Sequence, residues 1–111
     1  DDPKLIFSLT QRSNDFIEEQ TNKNKPFFIQ ISHYAVHLAI TYSQKNFKKY
    51  RMLEKGQKHF VPEFAAMTED MDKGIGMILD KVESLGIADN TYIIFLSDNG
   101  GRTSIPIGPE Q

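Results

Sequence analysis

The chain has 111 residues, of which 39% are hydrophobic and 25% charged, with a formal net charge of −2. That is the length of one small domain with a modest core, and the balance excludes global disorder and any general attraction to nucleic acid or an anionic membrane. The absence of cysteine excludes a disulfide framework, a zinc–thiolate site and a cysteine nucleophile without fixing the compartment, and no apolar run reaches the length of a membrane span.

The opening Asp1-Asp2-Pro3-Lys4 has no initiator Met and no apolar signal segment behind a basic start. The end, Ile107-Gly108-Pro109-Glu110-Gln111, reads as a loop cut short. Residues 1–111 are therefore expected to be a single internal piece of something longer. Over residues 8–19, Leu9, Phe16 and Ile17 form a thin apolar stripe, with Ser13 a candidate N-cap, and predict a helix. Residues 21–25 are a polar loop. Pro26-Phe27-Phe28-Ile29-Gln30-Ile31-Ser32, aromatic and β-branched, predicts a buried strand, and just beyond its end come His33, Tyr34 and His37.

Residues 41–59 are polar and basic, with Lys45, Lys48, Lys49, Arg51, Lys55 and Lys58 against one acid, Glu54. This reads as a solvated loop or short helix; an anion-attracting rim beside an active site is the sharper alternative. Over residues 62–85, Phe64, Met67, Met71, Ile75, Ile78, Val82 and Leu85 recur at spacings of three and four and predict a long helix. Pro62 suits its first turn and Gly86 its C-terminal cap. Gly74 and Gly76, each costing about 1 kcal/mol relative to Ala inside a helix, predict close packing against a neighbour such as the sheet. After a turn at residues 87–90, Thr91-Tyr92-Ile93-Ile94-Phe95-Leu96 is a continuous apolar run that predicts a central strand buried on both faces. Strand, helix, strand is a right-handed crossover unit, so the expected class is α/β with a mostly parallel sheet, and ligands are expected at the carboxyl ends of the strands.

Those ends carry the chemistry. Asp98 and Asn99 offer a carboxylate and an amide carbonyl side by side, hard oxygen donors of the kind calcium and magnesium take. Gly100 and Gly101 let the backbone turn tightly; taken alone, Asp-Asn-Gly-Gly reads first as turn chemistry. His37 has the residue type for donating a hydrogen bond to an anion or acting as a general acid, though a lone histidine is usually structural. His33 is read as structural or supporting, and His59 as exposed.

The ordered series Pro26-Phe27-Phe28 through His37, Ala66-Met67 through Gly76, Leu85-Gly86-Ile87-Ala88-Asp89-Asn90-Thr91, and Ile94-Phe95-Leu96-Ser97-Asp98-Asn99-Gly100-Gly101 resembles the sulfatases of the alkaline phosphatase superfamily, over roughly residues 26–37 and 62–101. The resemblance implies a piece of a sulfatase-type α/β sandwich. It implies that Asp98 and Asn99 bind a divalent metal, usually calcium, and that His37 contacts the sulfate ester and helps protonate the leaving group. It further implies a formylglycine nucleophile made from a Cys/Ser-x-Pro-x-Arg motif upstream. That motif, the family's paired metal-binding aspartates and a lysine after the Ser-Asp-Asn-Gly loop are not found in this chain, and Ala39 stands where relatives often have proline. The isolated chain is accordingly expected to be inactive.

The implied substrate is a sulfate ester, an aryl sulfate or sulfated glycan among the possibilities, with the rest of the parent chain as partner. Family habit implies a periplasmic, secreted or lysosomal location. Two other readings stay open: a phosphoesterase or phosphonate hydrolase of the same superfamily, and a non-catalytic α/β binding module that uses the basic stretch at residues 45–58.

Overall fold

A computed structural model describes residues 1–57, 60–101 and 104–105. Lys58 and His59, at the end of the basic stretch, lie outside the described residues, as does the C-terminal segment from residue 106. Among the described residues three α-helices set the architecture: α1 (Ile6–Asn22), α2 (Gln44–Met52) and α3 (Pro62–Ser84), with single 3-10 turns at Pro3–Leu5 and Ala88–Asn90. No helix among the described residues is long and apolar enough to cross a membrane.

Helix α1 starts earlier than its apolar stripe because an acid upstream serves its open end. The Asp2 carboxylate accepts from the backbone N–H of Phe7 at 2.8 Å and from that of Ser8 at 3.3 Å, and also from the Ser8 hydroxyl. These are donors of the first turn that no helical carbonyl can satisfy. Ser13, expected as N-cap, instead lies inside the helix, where its hydroxyl donates to the Leu9 carbonyl at 2.8 Å. The buried face of α1 is Ile6, Thr10, Ser13, Asn14 and Ile17, a helical repeat of three and four in which three of five members are polar.

Helix α3 has the ends its sequence predicts. Pro62 is in the first turn. At the other end Gly86 takes φ +67°, its N–H donating to the Glu83 carbonyl at 2.9 Å while Ile87 N–H reaches back to Val82 at 3.3 Å. This paired closure needs a left-handed residue at Gly86. Its buried residues are Ala66, Met67, Asp70, Gly74 and Val82. Only Met67 and Val82 of the apolar stripe are among them, and Phe64, Met71, Ile75, Ile78 and Leu85 are half-buried.

The close packing foreseen for the glycines is realised at Gly74, and against α1 rather than a sheet. A Cβ there would lie 2.8 Å from Ile6 Cγ2 and 2.8 Å from Thr10 Oγ1, whereas at Gly76 it would meet nothing within 4 Å. Further along, Asn14 Nδ2 donates to the Met77 carbonyl at 3.3 Å and Lys81 pairs with Glu18 at 2.8 Å. Positions 6 and 10 meet 74, position 14 meets 77 and position 18 meets 81, so both numbers rise together and the helices run parallel. A parallel pair needs a long return, and residues 23–61 supply it, with α2 packed across α3 on the way. Full burial of Ile6, Ile17 and Met67 contributes about 1.5–3 kcal/mol each.

The expected α/β class with a parallel sheet is not what forms. Among the described residues there is no strand: residues 26–32 and 91–96 carry no regular structure, and no backbone hydrogen bond joins one segment to the other. The reason is physical. A strand is stabilised by its ladder partner and by burial of its faces; among the described residues there is no ladder partner, residues 92–96 are exposed, and the first segment is only half-buried, at Phe27, Ile29 and Ile31. Phe28 is 85% exposed, Ile94 78% and Leu96 82%. Among the described residues the one ring contact from the first segment is Phe27, set edge-on to Phe16 of α1 at 6.1 Å.

Candidate active site

The segment leading to His37 makes few ties to the helices. Gln30 Nε2 and Ser32 Oγ are 3.4 Å apart, and a turn closes with His37 N–H donating to the Tyr34 carbonyl at 3.0 Å. The His37 side chain is exposed. Its Nδ1 lies 2.8 Å from the Leu38 carbonyl. A carbonyl only accepts, so Nδ1 carries the proton and Nε2 is the nitrogen left to face a ligand. His33 differs. It is half-buried, its Nδ1 has no hydrogen-bond partner among the described residues, and burial depresses its pKa below the ordinary 6.5 because the charged ring is the form that loses hydration.

The Ser97-Asp98-Asn99-Gly100 turn follows the second apolar segment. Asp98 Oδ1 accepts from the Asn99 N–H at 2.8 Å and Asp98 Oδ2 from Asn99 Nδ2 at 3.2 Å, while Ser97 Oγ accepts from Gly100 N–H at 3.0 Å. Gly100 takes φ +73°, a conformation glycine adopts without penalty. The two donors singled out from the sequence are thus brought together, both exposed. Each carboxylate oxygen keeps a lone pair beyond the bond it accepts. The pair suits a hard divalent cation in chemistry but is a partial set: calcium takes six to eight oxygens, and no cluster of three or more His, Cys, Asp or Glu that could hold a metal forms among the described residues. The hydrogen bonds described for His37 stay within its own loop and do not reach Asp98 or Asn99.

The basic stretch forms part of a different feature. Lys45 and Lys49, with Lys73 of α3, line a cleft of about 390 Å³ together with Phe7, Ser43, Asn46 and Glu69; His37, Asp98 and Asn99 are not in its wall. Lys49 pairs with Glu69 at 2.8 Å. The hydrogen bond from Lys49 holds the Glu69 carboxyl below its usual value, against a smaller opposing effect of burial. Lys73 sits 5.8 Å over the Phe7 ring. Three lysines against the single acid Glu69 leave the wall of the cleft net positive, and its Ser43 and Asn46 are bonded to the buried Asp70.

Sequence reasoning missed Asp70. Its side chain is 1% exposed. Oδ2 accepts from the Ser43 N–H at 2.7 Å, and Oδ1 accepts from the Ser43 hydroxyl at 2.7 Å and from Asn46 Nδ2 at 2.8 Å. Ser43 is also the N-cap of α2, its Oγ accepting from Asn46 N–H at 3.3 Å. The available signal was an acid at the inward step between Met67 and Gly74, facing a Ser-x-x-Asn start in the basic stretch.

Comparison with known proteins adds the family. The family model described as Sulfatase matches residues 6–108. A sulfatase of Formosa agariphila is 33% identical over 95 residues, 78% of this chain and 17% of that protein. Human N-acetylgalactosamine-6-sulfatase is 33% identical over 101 residues, 91% of this chain and 17% of that protein. Human steryl-sulfatase is 36% identical over 98 residues, 88% and 15% respectively. The chain thus spans 17% or less of the length of these relatives.

Proposed function

The chain belongs to the sulfatase family, and on that premise we propose that the intact protein hydrolyses sulfate esters, with His37 as the acid that serves the leaving group and Asp98 and Asn99 as ligands of a divalent metal. The observation that carries the reading is the match along nearly the whole chain, which includes both strand-like segments and the turns that hold these three residues.

The local chemistry supports each role. With Nδ1 committed to the Leu38 carbonyl at 2.8 Å, a protonated His37 presents Nε2–H outward, where it can donate to the ester oxygen as the S–O bond lengthens. Leaving-group protonation matters because an alkoxide is a poor leaving group at neutral pH. Asp98 and Asn99 contribute oxygen donors to a calcium or similar ion, which when bound would neutralise charge on the sulfate oxygens. The remaining ligands and the formylglycine nucleophile belong, in this reading, to parts outside residues 1–111. The substrate is a sulfate ester such as a sulfated glycan or an aryl sulfate. A periplasmic, secreted or lysosomal setting goes with the family.

The test compares an aryl sulfate with the matching aryl phosphate as substrates of the intact protein, with and without a chelator, alongside His37→Ala and Asp98→Ala. Sulfate turnover lost with chelator and reduced to a small residual rate in both variants is the expected result. A preference for phosphate would place the protein with the sister phosphoesterases. Absence of turnover on either, with binding of an anionic ligand abolished by charge reversal at Lys45 and Lys49, would replace catalysis by a binding role.

A further inference from the structure

Three elements hold the ground around His37 in place, and only one of them is a built polar site. Upstream, the Phe27 ring rests edge-on to Phe16. Downstream, Ile40 is buried, and the Tyr42 ring lies against Phe47 of α2 at 4.7 Å. The third is the Asp70 clamp on Ser43. The described hydrogen bonds between residues 28 and 39 stay within that segment. Beyond that segment, the first hydrogen bonds to the helical scaffold on the C-terminal side of His37 are those of Ser43 to Asp70, reached past the packed Ile40 and Tyr42.

The clamp is made as a positioning device would be. Its carboxylate is nearly inaccessible and accepts three hydrogen bonds at 2.7–2.8 Å from two residues of another element. One donor is a backbone N–H, so Asp70 fixes the course of the main chain at Ser43 as well as a side chain. Bonds from a carboxylate to buried donors are among the stronger ones, and α3 itself is a long helix packed on α1, so the anchor point is stiff.

We propose that Asp70 is a positioning residue for His37, acting through Ser43 to set where the His37 ring stands. This rests on the sulfatase reading for its catalytic consequence, but not for its structural content.

The experiment uses the intact protein and the variants Asp70→Asn, Ser43→Ala and Ser43→Thr, each alone and with His37→Ala. Asp70→Asn keeps the shape of the side chain and turns an acceptor toward a donor. Ser43→Ala removes only the hydroxyl bonds, and Ser43→Thr restores a capping hydroxyl. The expected result is a fall in kcat on the aryl sulfate of about tenfold or more in Asp70→Asn and Ser43→Ala with KM little changed, since small misplacement of a reacting group is costly. Ser43→Thr should recover most of the loss. In the His37→Ala background the same substitutions should have almost no further effect, because coupled residues are not additive.

Losses that multiply with His37→Ala, or a kcat unaffected by either variant, would overturn the proposal. Losses that merely track a lower melting temperature would do the same. If the intact protein turns over no sulfate ester, the functional reading fails. The positioning claim is then decided by NMR of ¹³C-labelled histidine. The His37 ring signal, identified by its disappearance in His37→Ala, should shift in Asp70→Asn, and an unmoved signal would refute the clamp.

Discussion

The contact between α1 and α3 allows a prediction in which two nearby glycines of one helix respond differently to the same substitution. Replacing Gly by Ala in a helix interior gains about 1 kcal/mol from helix propensity alone. At Gly76 nothing lies within 4 Å of the new Cβ, so Gly76→Ala should show that gain. At Gly74 the methyl would come within 2.8 Å of both Ile6 Cγ2 and Thr10 Oγ1. Both residues are fully buried and both are β-branched, so neither atom can swing away at the end of a flexible chain. Relief must come from separating the helices, and overpacking of this kind costs about 1–3 kcal/mol. Gly74→Ala should therefore be neutral to about 2 kcal/mol less stable than the parent, the propensity gain having been offset. Urea unfolding of the 111-residue chain, monitored by far-ultraviolet circular dichroism, measures both. The slopes should match that of the parent, so that midpoints compare directly. If Gly74→Ala proved as stable as Gly76→Ala, the parallel α1–α3 contact would not be as close as described.

Two further outcomes rest on named groups. Asp2→Ala should destabilise α1 by about 1 kcal/mol, the usual cost of losing a carboxylate that serves the first-turn N–H groups. Burial pushes the Asp2 carboxyl up, but the hydrogen bonds from the Ser8 hydroxyl and the Phe7 and Ser8 N–H groups outweigh it and hold its pKa below 3.8. The parent's advantage over Asp2→Ala is thus complete above that value and is lost as pH falls through the lower, folded one, which paired urea titrations would detect. His33 works in the same direction through desolvation, since its folded pKa lies below 6.5. The neutral ring is favoured in the folded state, so this contribution is present above 6.5 and is lost as pH falls through the folded value. Melting temperatures recorded on the acid side of 6.5 should decline more steeply for the parent than for His33→Gln, and equal slopes would contradict the burial of that ring.

The helices were legible because their information is local. Pro62, Gly86 and the three-and-four spacing from Phe64 to Leu85 mark α3 almost to the residue. Helix α1 was harder to bound, because its inner face is built from Thr10, Ser13 and Asn14 as much as from Ile6 and Ile17, and its start depends on Asp2, four positions before the helix. The two apolar runs were misread for a different reason. Phe27, Phe28 and Ile29, and later Ile93, Ile94 and Phe95, have the composition of strands, but composition states only what a segment would do beside a partner edge. No such edge is offered among the described residues, and so most of the same side chains stand exposed.

The site divides along the same line. Asp98 and Asn99 could be singled out because one turn places both, and its geometry is written in Ser97 and Gly100 on either side. Asp70 and Ser43 could not, because they meet across 27 positions and neither is unusual in its own neighbourhood. An acid in a helix is ordinarily a solvated residue, and a serine ahead of Gln44 is ordinarily just a cap. Burial together with complementary donors and acceptors identifies them, a property of the pair that appears only once α2 lies across α3. The expected α/β frame put His37 just past the end of a buried strand. With no strand beneath it, His37 is held by the packing on both sides of its loop, and the hydrogen-bonded attachment on its C-terminal side is Ser43 on Asp70.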